Sequence, residues 1–395
     1  MSGLALKEEK REEKRPQPAK AQRRSTWSRW GWLLTLLITL AILYRVGELS
    51  PLSSDARLQC QQLFGPVGAE DIVVDSAGRW AYISSDDRWA QIAGEGREGS
   101  IWRLDLIDPL ARPERLSLTS PLDLPLHPHG IDLWESPDGS ESILAVVNHP
   151  AGVLSESEGE SEPAIPLHRI ERFRVDPRIG SLTPLSPLNS PTLTGPNDLI
   201  LLGPDEFYVT NDHGAKSKLS RAIEQLTFRP WGSVVHHRQG GWQVVAGEIS
   251  FPNGIALRRS AGREQLFVSS STEGALYRFT RDPTSGALSK RTRWTAPLGL
   301  DNLSFDDEGR LWTGAHPRLF RFILHSALRT PSPSLILSFD QLDGASAPKE
   351  EHWLLDDGRR LSGASVAARA GDQLLIGTVF QAGIFRCQMS ALALR

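Results

Sequence analysis

The chain has 395 residues, enough for one large domain or for two or three smaller ones. Its 44 Lys and Arg against 47 Asp and Glu leave a net charge of -3, which implies no basic face and excludes a nucleic-acid-binding reading. The 34 Gly and 27 Pro punctuate short strand-like runs throughout, which points to an all-β architecture.

Residues 1–29 are rich in Lys, Arg and Glu without apolar periodicity, the pattern of a solvated tail. From Trp30 to Tyr44 the run WGWLLTLLITLAILY carries no charge. It rises about 22 Å, short of a hydrocarbon core of about 30 Å unless Val46 and flanking residues extend it. No small-residue cleavage site follows Leu43, and Trp27, Trp30, Trp32 and Tyr44 suit a membrane interface. Residues 30–46 therefore read as an uncleaved signal-anchor, with a cleaved secretory signal and a buried core helix as alternatives. The anchor leaves the basic tail cytoplasmic and the rest of the chain outside the cytoplasm; cleavage would make the protein secreted. A linker, 47–59, leads to the body of the protein, 60–390. The two cysteines, Cys60 and Cys387, lie near the ends of that body. In an oxidising compartment they are a natural staple; two unrelated buried thiols are the alternative.

The body repeats one pattern six times. Each copy opens on a polar pair, continues as a short apolar strand, turns at Asp or Gly and returns as a second apolar strand. The copies begin at Glu70 (EDIVVD), His129 (HGIDLW), Asn197 (NDLILL), Asn253 (NGIALR), Asp301 (DNLSFD) and Ser362 (SGASVA). Further stretches such as SIWRLDL, RIERFRV and ALYRFTR alternate with period two. Openings about 48 to 68 residues apart accommodate a four-stranded blade each, so a six-bladed β-propeller is expected. Radial repetition would gather the polar pairs at one mouth of the central channel. Glu70, Asp71, Asn197, Asp198, Asn253, Asp301 and Asn302 converge there, with His129 beside them. Four carboxylates cannot all stay ionised so close together without a counter-charge. Ca²⁺, with six to eight oxygen ligands, suits the set better than Mg²⁺, which keeps its waters, or Zn²⁺, which wants His or Cys. Any one Asn or Asp pair could instead serve a turn; the recurrence points to a metal.

At these residues the sequence resembles the paraoxonase/arylesterase family of calcium-dependent lactonases. The resemblance covers about Cys60 to Cys387 and rests on GAED (68–71), HPHGI (127–131), VVNHP (146–150), PND (196–198), FYVTNDH (207–213), FPNGI (251–255), LDNLSFD with LWTGAHP (300–317) and LLIGTVF (374–380). It implies a six-bladed propeller with two calcium ions in its channel. The catalytic ion would be held by Glu70, Asn197, Asn253, Asp301 and Asn302, and the structural ion by Asp71, Asp198 and the carbonyl of Ile131. The family's histidine pair falls on His129 and His149, and its disulfide on Cys60 and Cys387.

Such a cation would polarise an ester carbonyl while His129 takes a proton from water and His149 passes it outward. Asp212 and His213 could orient ligands, as could His316, and Val379 and Phe380 could line the pocket; a capping turn or plain core explains these positions equally well. The acidic, Ser-rich stretch 151–168 and the segment Asp86–Ser100 depart from the family pattern, so substrate preference does not carry over. The expected substrate is a small lactone or aryl ester. The alternatives are a sugar lactonase of the gluconolactonase type and a non-catalytic, calcium-stabilised propeller that binds a partner. Neither oligomeric state nor activity toward phosphotriesters follows from the sequence.

Overall fold

The structure is a computed structural model that describes residues 26–49, 55–150, 168–260 and 262–389. Most of the charged tail, and the acidic stretch up to residue 167, lie outside the described residues.

Two compact units divide after Leu43. In the first the described residues belong to a single helix, α1 (Thr26–Arg45), whose last two residues begin the second unit. Its Leu and Ile side chains from Trp30 onward are largely exposed, and the hydroxyls of Thr35 and Thr39 bond back to the carbonyls of Gly31 and Thr35, at 2.9 Å each. No helix among the described residues is long and apolar enough to cross a membrane.

The second unit is a ring of six sheets. Blade 1 runs Ile72–Val74, Trp80–Ser85, Ser100–Asp105 and Glu114–Arg115; blade 2 runs Pro128–Glu135, Ser142–Asn148, Arg169–Asp176 and Ser181–Pro184, with Ser117–Leu118 added at its edge. Blade 3 runs Pro196–Gly203, Glu206–Asn211, Gly232–Arg238 and Gly241–Ile249; blade 4 runs Pro252–Ser260, Arg263–Ser270, Ala275–Arg281 and Leu288–Thr295. Blade 5 runs Leu300–Phe305, Leu311–Ala315, Ser334–Asp340 and Lys349–Asp356; blade 6 runs Ala364–Ala370, Gln373–Thr378 and Ala382–Gln388. The first strands touch one another in cyclic order, the sixth against the first, and so surround a central channel. This is a six-bladed β-propeller.

Ring closure comes from the start of the unit. Gln59–Val67 is the fourth strand of blade 6, and Asp55–Ala56 extends blade 5. Cys60 lies directly across from Cys387 in that pairing, and the two form a disulfide.

The core is divided among the blade interfaces. Six apolar clusters each join neighbouring blades, such as Tyr208 and Val234 of blade 3 with Leu266, Val268 and Phe279 of blade 4. Blades bury both faces, so second strands such as SILAVVN and QLLIGT read as continuous apolar runs instead of alternating ones.

Candidate active site and metal centre

The polar pairs stand where the first strands break register. In blade 3 Pro196 pairs with Asn211 and Leu199 with Val209, so three steps on one strand match two on the other. The same single-residue bulge lies between Pro128 and Ile131, Pro252 and Ile255, Leu300 and Leu303, and Ala364 and Val366. A bulge turns a side chain out of the ladder; in blades 2 to 5 it occurs at the polar pair, and in blade 6 it lies just past it, at Ser365. Crowding around the channel explains the glycines in HGI and NGI. A Cβ on Gly130 would lie 2.5 Å from the Cα of Asp198, and one on Gly254 would lie 2.5 Å from the carbonyl oxygen of Asp301.

Five side chains around the channel carry a buried oxygen with no hydrogen-bond partner among the described residues: Glu70 Oε2, Asn197 Oδ1, Asn253 Oδ1, Asp301 Oδ1 and Asn302 Oδ1. These are the residues predicted to hold the catalytic ion. Asn302 Nδ2 donates to Glu70 Oε1 at 2.9 Å and to the Glu70 carbonyl at 3.0 Å, which ties blade 5 to blade 1. His316 Nε2 lies 2.9 Å from Asp301 Oδ2, and its ring stacks on Phe322. Burial pushes Asp301 well above the usual carboxylate range, and the neighbouring Glu70 pushes it further. Burial also raises Glu70, but His129, Arg88 and the bond from Asn302 together outweigh it and leave Glu70 below its ordinary value.

Buried oxygens without partners are costly, and nearly all buried polar groups in proteins avoid that state. Two carboxylates and three amides offer oxygen only, the donor chemistry of a hard cation. Among the described residues no three His, Cys, Asp or Glu side chains form a metal-binding group, because amides make up most of this set. The donors present fit Ca²⁺.

Asp71 and Asp198 differ from that set. Asp71 accepts the N–H of Ile72 and of Ile131, both at 2.8 Å, while Asp198 accepts those of Leu199 at 2.7 Å and Ile255 at 2.9 Å. Each carboxylate therefore links its own first strand to that of the next blade. Both are pushed well above the usual range by burial, then by repulsion, Asp71 from Glu70 and Asp198 from Asp71.

A cavity of about 270 Å³ is lined by Asp86, Arg88, Gln91, Ile92, His127, Pro128, His129, His149 and Phe380. His129 Nε2 lies 3.4 Å from Glu70 Oε1, and its Nδ1 lies 3.2 Å from His149 Nε2. His149 Nδ1 in turn lies 2.8 Å from His168 Nδ1. Asp212 pairs with His213 at 2.5 Å, and His213 reaches Gln225 on helix α3 (Lys218–Thr227) through its other nitrogen. Phe380 lines the cavity; Val379 contributes its carbonyl, which accepts a bond from Arg88.

Three residues here went unmarked in the sequence. Arg88 opens helix α2 (Arg88–Ile92) and donates to the carbonyls of Gly68, Pro128 and Val379, at 3.2 to 3.4 Å. It thereby fastens the segment Asp86–Ser100 across three parts of the ring. Trp89 stacks on Phe380 with ring centres 5.2 Å apart and donates to the carbonyl of Ser326, on helix α4 (Leu319–Leu328). His168 is the last residue of the acidic stretch 151–168, where no motif singles it out. The register of Arg169 opposite Asn148 brings it to His149, and only strand pairing reveals that.

Comparison with known proteins agrees with this architecture. The chain is 26% identical over 326 residues to "Serum paraoxonase/arylesterase 2" of Gallus gallus, covering 82% of this chain and 86% of that one. It is 27% identical over 335 residues to "Serum paraoxonase/arylesterase 1" of Homo sapiens, with the same coverage. Against "Serum paraoxonase/lactonase 3" of Mus musculus the identity is 26% over 330 residues, covering 80% and 85%. Among solved structures, a luciferin-regenerating enzyme superposes with a TM-score of 0.52 at 11% identity over 85% of this chain and 96% of that one, a likeness of fold alone. The family model described as Arylesterase matches residues 77–389, most of the propeller, and the chain belongs to that family.

Proposed function

We propose that this protein is a calcium-dependent hydrolase of lactones and aryl esters whose general base is His129. Membership of the arylesterase family makes it a hydrolase acting on esters and lactones. The observation that carries the finer reading is the convergence of five unpartnered buried oxygens beside a paired histidine. Glu70, Asn197, Asn253, Asp301 and Asn302 would hold the ion. Bound there, it would supply Lewis-acid polarisation of the scissile carbonyl. A second ion at Asp71, Asp198 and the Ile131 carbonyl would relieve the repulsion between two buried carboxylates, which at present share only backbone N–H donors.

The chain's own groups supply the rest. With its Nδ1 proton donated to His149, His129 keeps a lone pair on Nε2 for a proton of the attacking water. His316 fixes Asp301 through the 2.9 Å bond and so positions a ligand without touching substrate. Arg88 and Phe380 line the cavity and would orient the ester, with Trp89 stacked against Phe380. The test is chelation: hydrolysis of an aliphatic lactone and of phenyl acetate should vanish after exhaustive EGTA treatment and return with added Ca²⁺. Undiminished turnover in EGTA sinks the mechanism.

The exposed apolar residues of α1 support attachment to a membrane, and the basic residues before them favour a catalytic unit outside the cytoplasm. Full-length protein should then sediment with membranes and stay there through a high-salt wash, whereas release into the soluble fraction argues for a cleaved signal.

A further inference from the structure

Three neighbouring strands of blade 2 each bring a histidine to the same level. His129 follows Pro128 at the start of the first strand, His149 follows Asn148 at the end of the second, and His168 precedes Arg169 at the start of the third. The cross-strand pairs Pro128–Asn148 and Asn148–Arg169 set all three side by side, running outward from the channel. Their rings meet edge to face, with centres 5.2 and 4.8 Å apart.

The contacts restrict where protons lie. Two imidazole nitrogens 2.8 Å apart cannot both be lone pairs or both be N–H, so one proton lies between His149 and His168. The same holds between His129 and His149. One tautomer set satisfies both bonds and leaves His129 Nε2 basic: His129 Nδ1–H to His149 Nε2, then His149 Nδ1–H to His168 Nδ1. His168 then carries its remaining proton on Nε2, a buried atom with no partner among the described residues.

We propose that His168 is the outer member of a three-histidine proton relay serving the base His129. The inference rests on the reading of His129 given above. As the water oxygen bonds to the carbonyl carbon, its O–H bond breaks and the proton passes to His129 Nε2. The Nδ1 proton of His129 moves to His149 Nε2, and that of His149 moves to His168 Nδ1. His168, then protonated on both nitrogens, passes its Nε2 proton to a bridging water that must link this buried atom to bulk solvent; the reverse sequence returns a proton to the departing alkoxide. Charge and protons balance with no further reagent.

The surroundings suit conduction better than storage. Burial holds His149 well below the usual imidazole range, with His129 and His168 adding to it; burial brings His168 down to about 4, helped by Arg221 and His129 and opposed by Asp212. Both rings are therefore neutral when a proton arrives.

The test compares wild type, His168→Phe, His168→Gln and His129→Gln, all calcium-loaded, on an aliphatic lactone in H₂O and D₂O. His168→Phe should lower kcat about tenfold or more with KM nearly unchanged, enlarge the solvent isotope effect, and recover rate with added imidazole. His168→Gln should do the same while melting at the wild-type temperature. Either variant keeping full kcat, or losing it without imidazole rescue and with a matching fall in melting temperature, ends the relay at His149. Full activity in His129→Gln would instead overturn the reading of the site itself.

Discussion

An unpaired oxygen of Asn253 and a fully bonded carboxylate of Asp198 come from the same repeated motif position or its neighbour, yet they face opposite demands. Asp198 already satisfies two backbone donors, so it contributes to the ring without an ion. Asn253 Oδ1 satisfies nothing among the described residues and gains only if a cation arrives. Asn253→Ala should therefore change the stability of the calcium-free protein little, because it removes a buried oxygen left without a partner together with the bond its amide gives Asp301. In saturating Ca²⁺ the same variant should lose most of the stabilisation that ligand binding gives wild type. Melting curves with and without Ca²⁺ check both halves; an equal calcium shift in wild type and variant removes Asn253 from the ligand set.

Among the elements, α4 depends on a distant segment. Its N-cap residue, Arg318, makes no side-chain capping bond. Val46 accepts the N–H of Leu319 at 3.1 Å through its carbonyl, and Glu48 Oε1 accepts that of Arg321 at 2.9 Å. Residues just after α1 thus cap a helix that supplies Phe322 to the His316 stack and Ser326 to Trp89. An acidic group at a helix N-terminus also complements the helix dipole. Glu48→Ala should cost about 1 kcal/mol, the usual worth of a cap, read as a shift in the urea midpoint. Because α4 also braces Trp89, KM for a bulky ester should rise more than KM for a small one. A midpoint equal to wild type would show that the cap contributes nothing.

For the whole molecule, closure is the decisive event. Gln59–Val67 completes blade 6, and the disulfide fixes it across a sequence separation of 327 residues. Joining so long a loop should stabilise by about 5 kcal/mol on a chain-entropy account. A Cys60→Ser, Cys387→Ser double variant should lose several kcal/mol of that in urea unfolding, and dithiothreitol should destabilise wild type but not the variant; a midpoint that does not move places closure in the strand pairing alone. Buried arginines reinforce neighbouring blades: Arg281 of blade 4 bonds Glu206 and Tyr208 of blade 3, and Arg369 of blade 6 bonds Asp306 at the end of blade 5's first strand, at 2.8 Å.

The sequence alone determined the sixfold repeat, the polar pairs that open it and the motifs of the family, because strand period, turn residues and spacing are local properties of the chain. It also indicated the cysteine staple, since two cysteines near the ends of one body leave few partners. Tertiary structure decided which oxygens remain unpaired, because that depends on bulges and on how closely the next blade's backbone passes. It also placed His168 beside His149 and Arg88 among three carbonyls. Those contacts join segments whose separation along the chain says nothing of their distance in space, and only the closed ring brings them together.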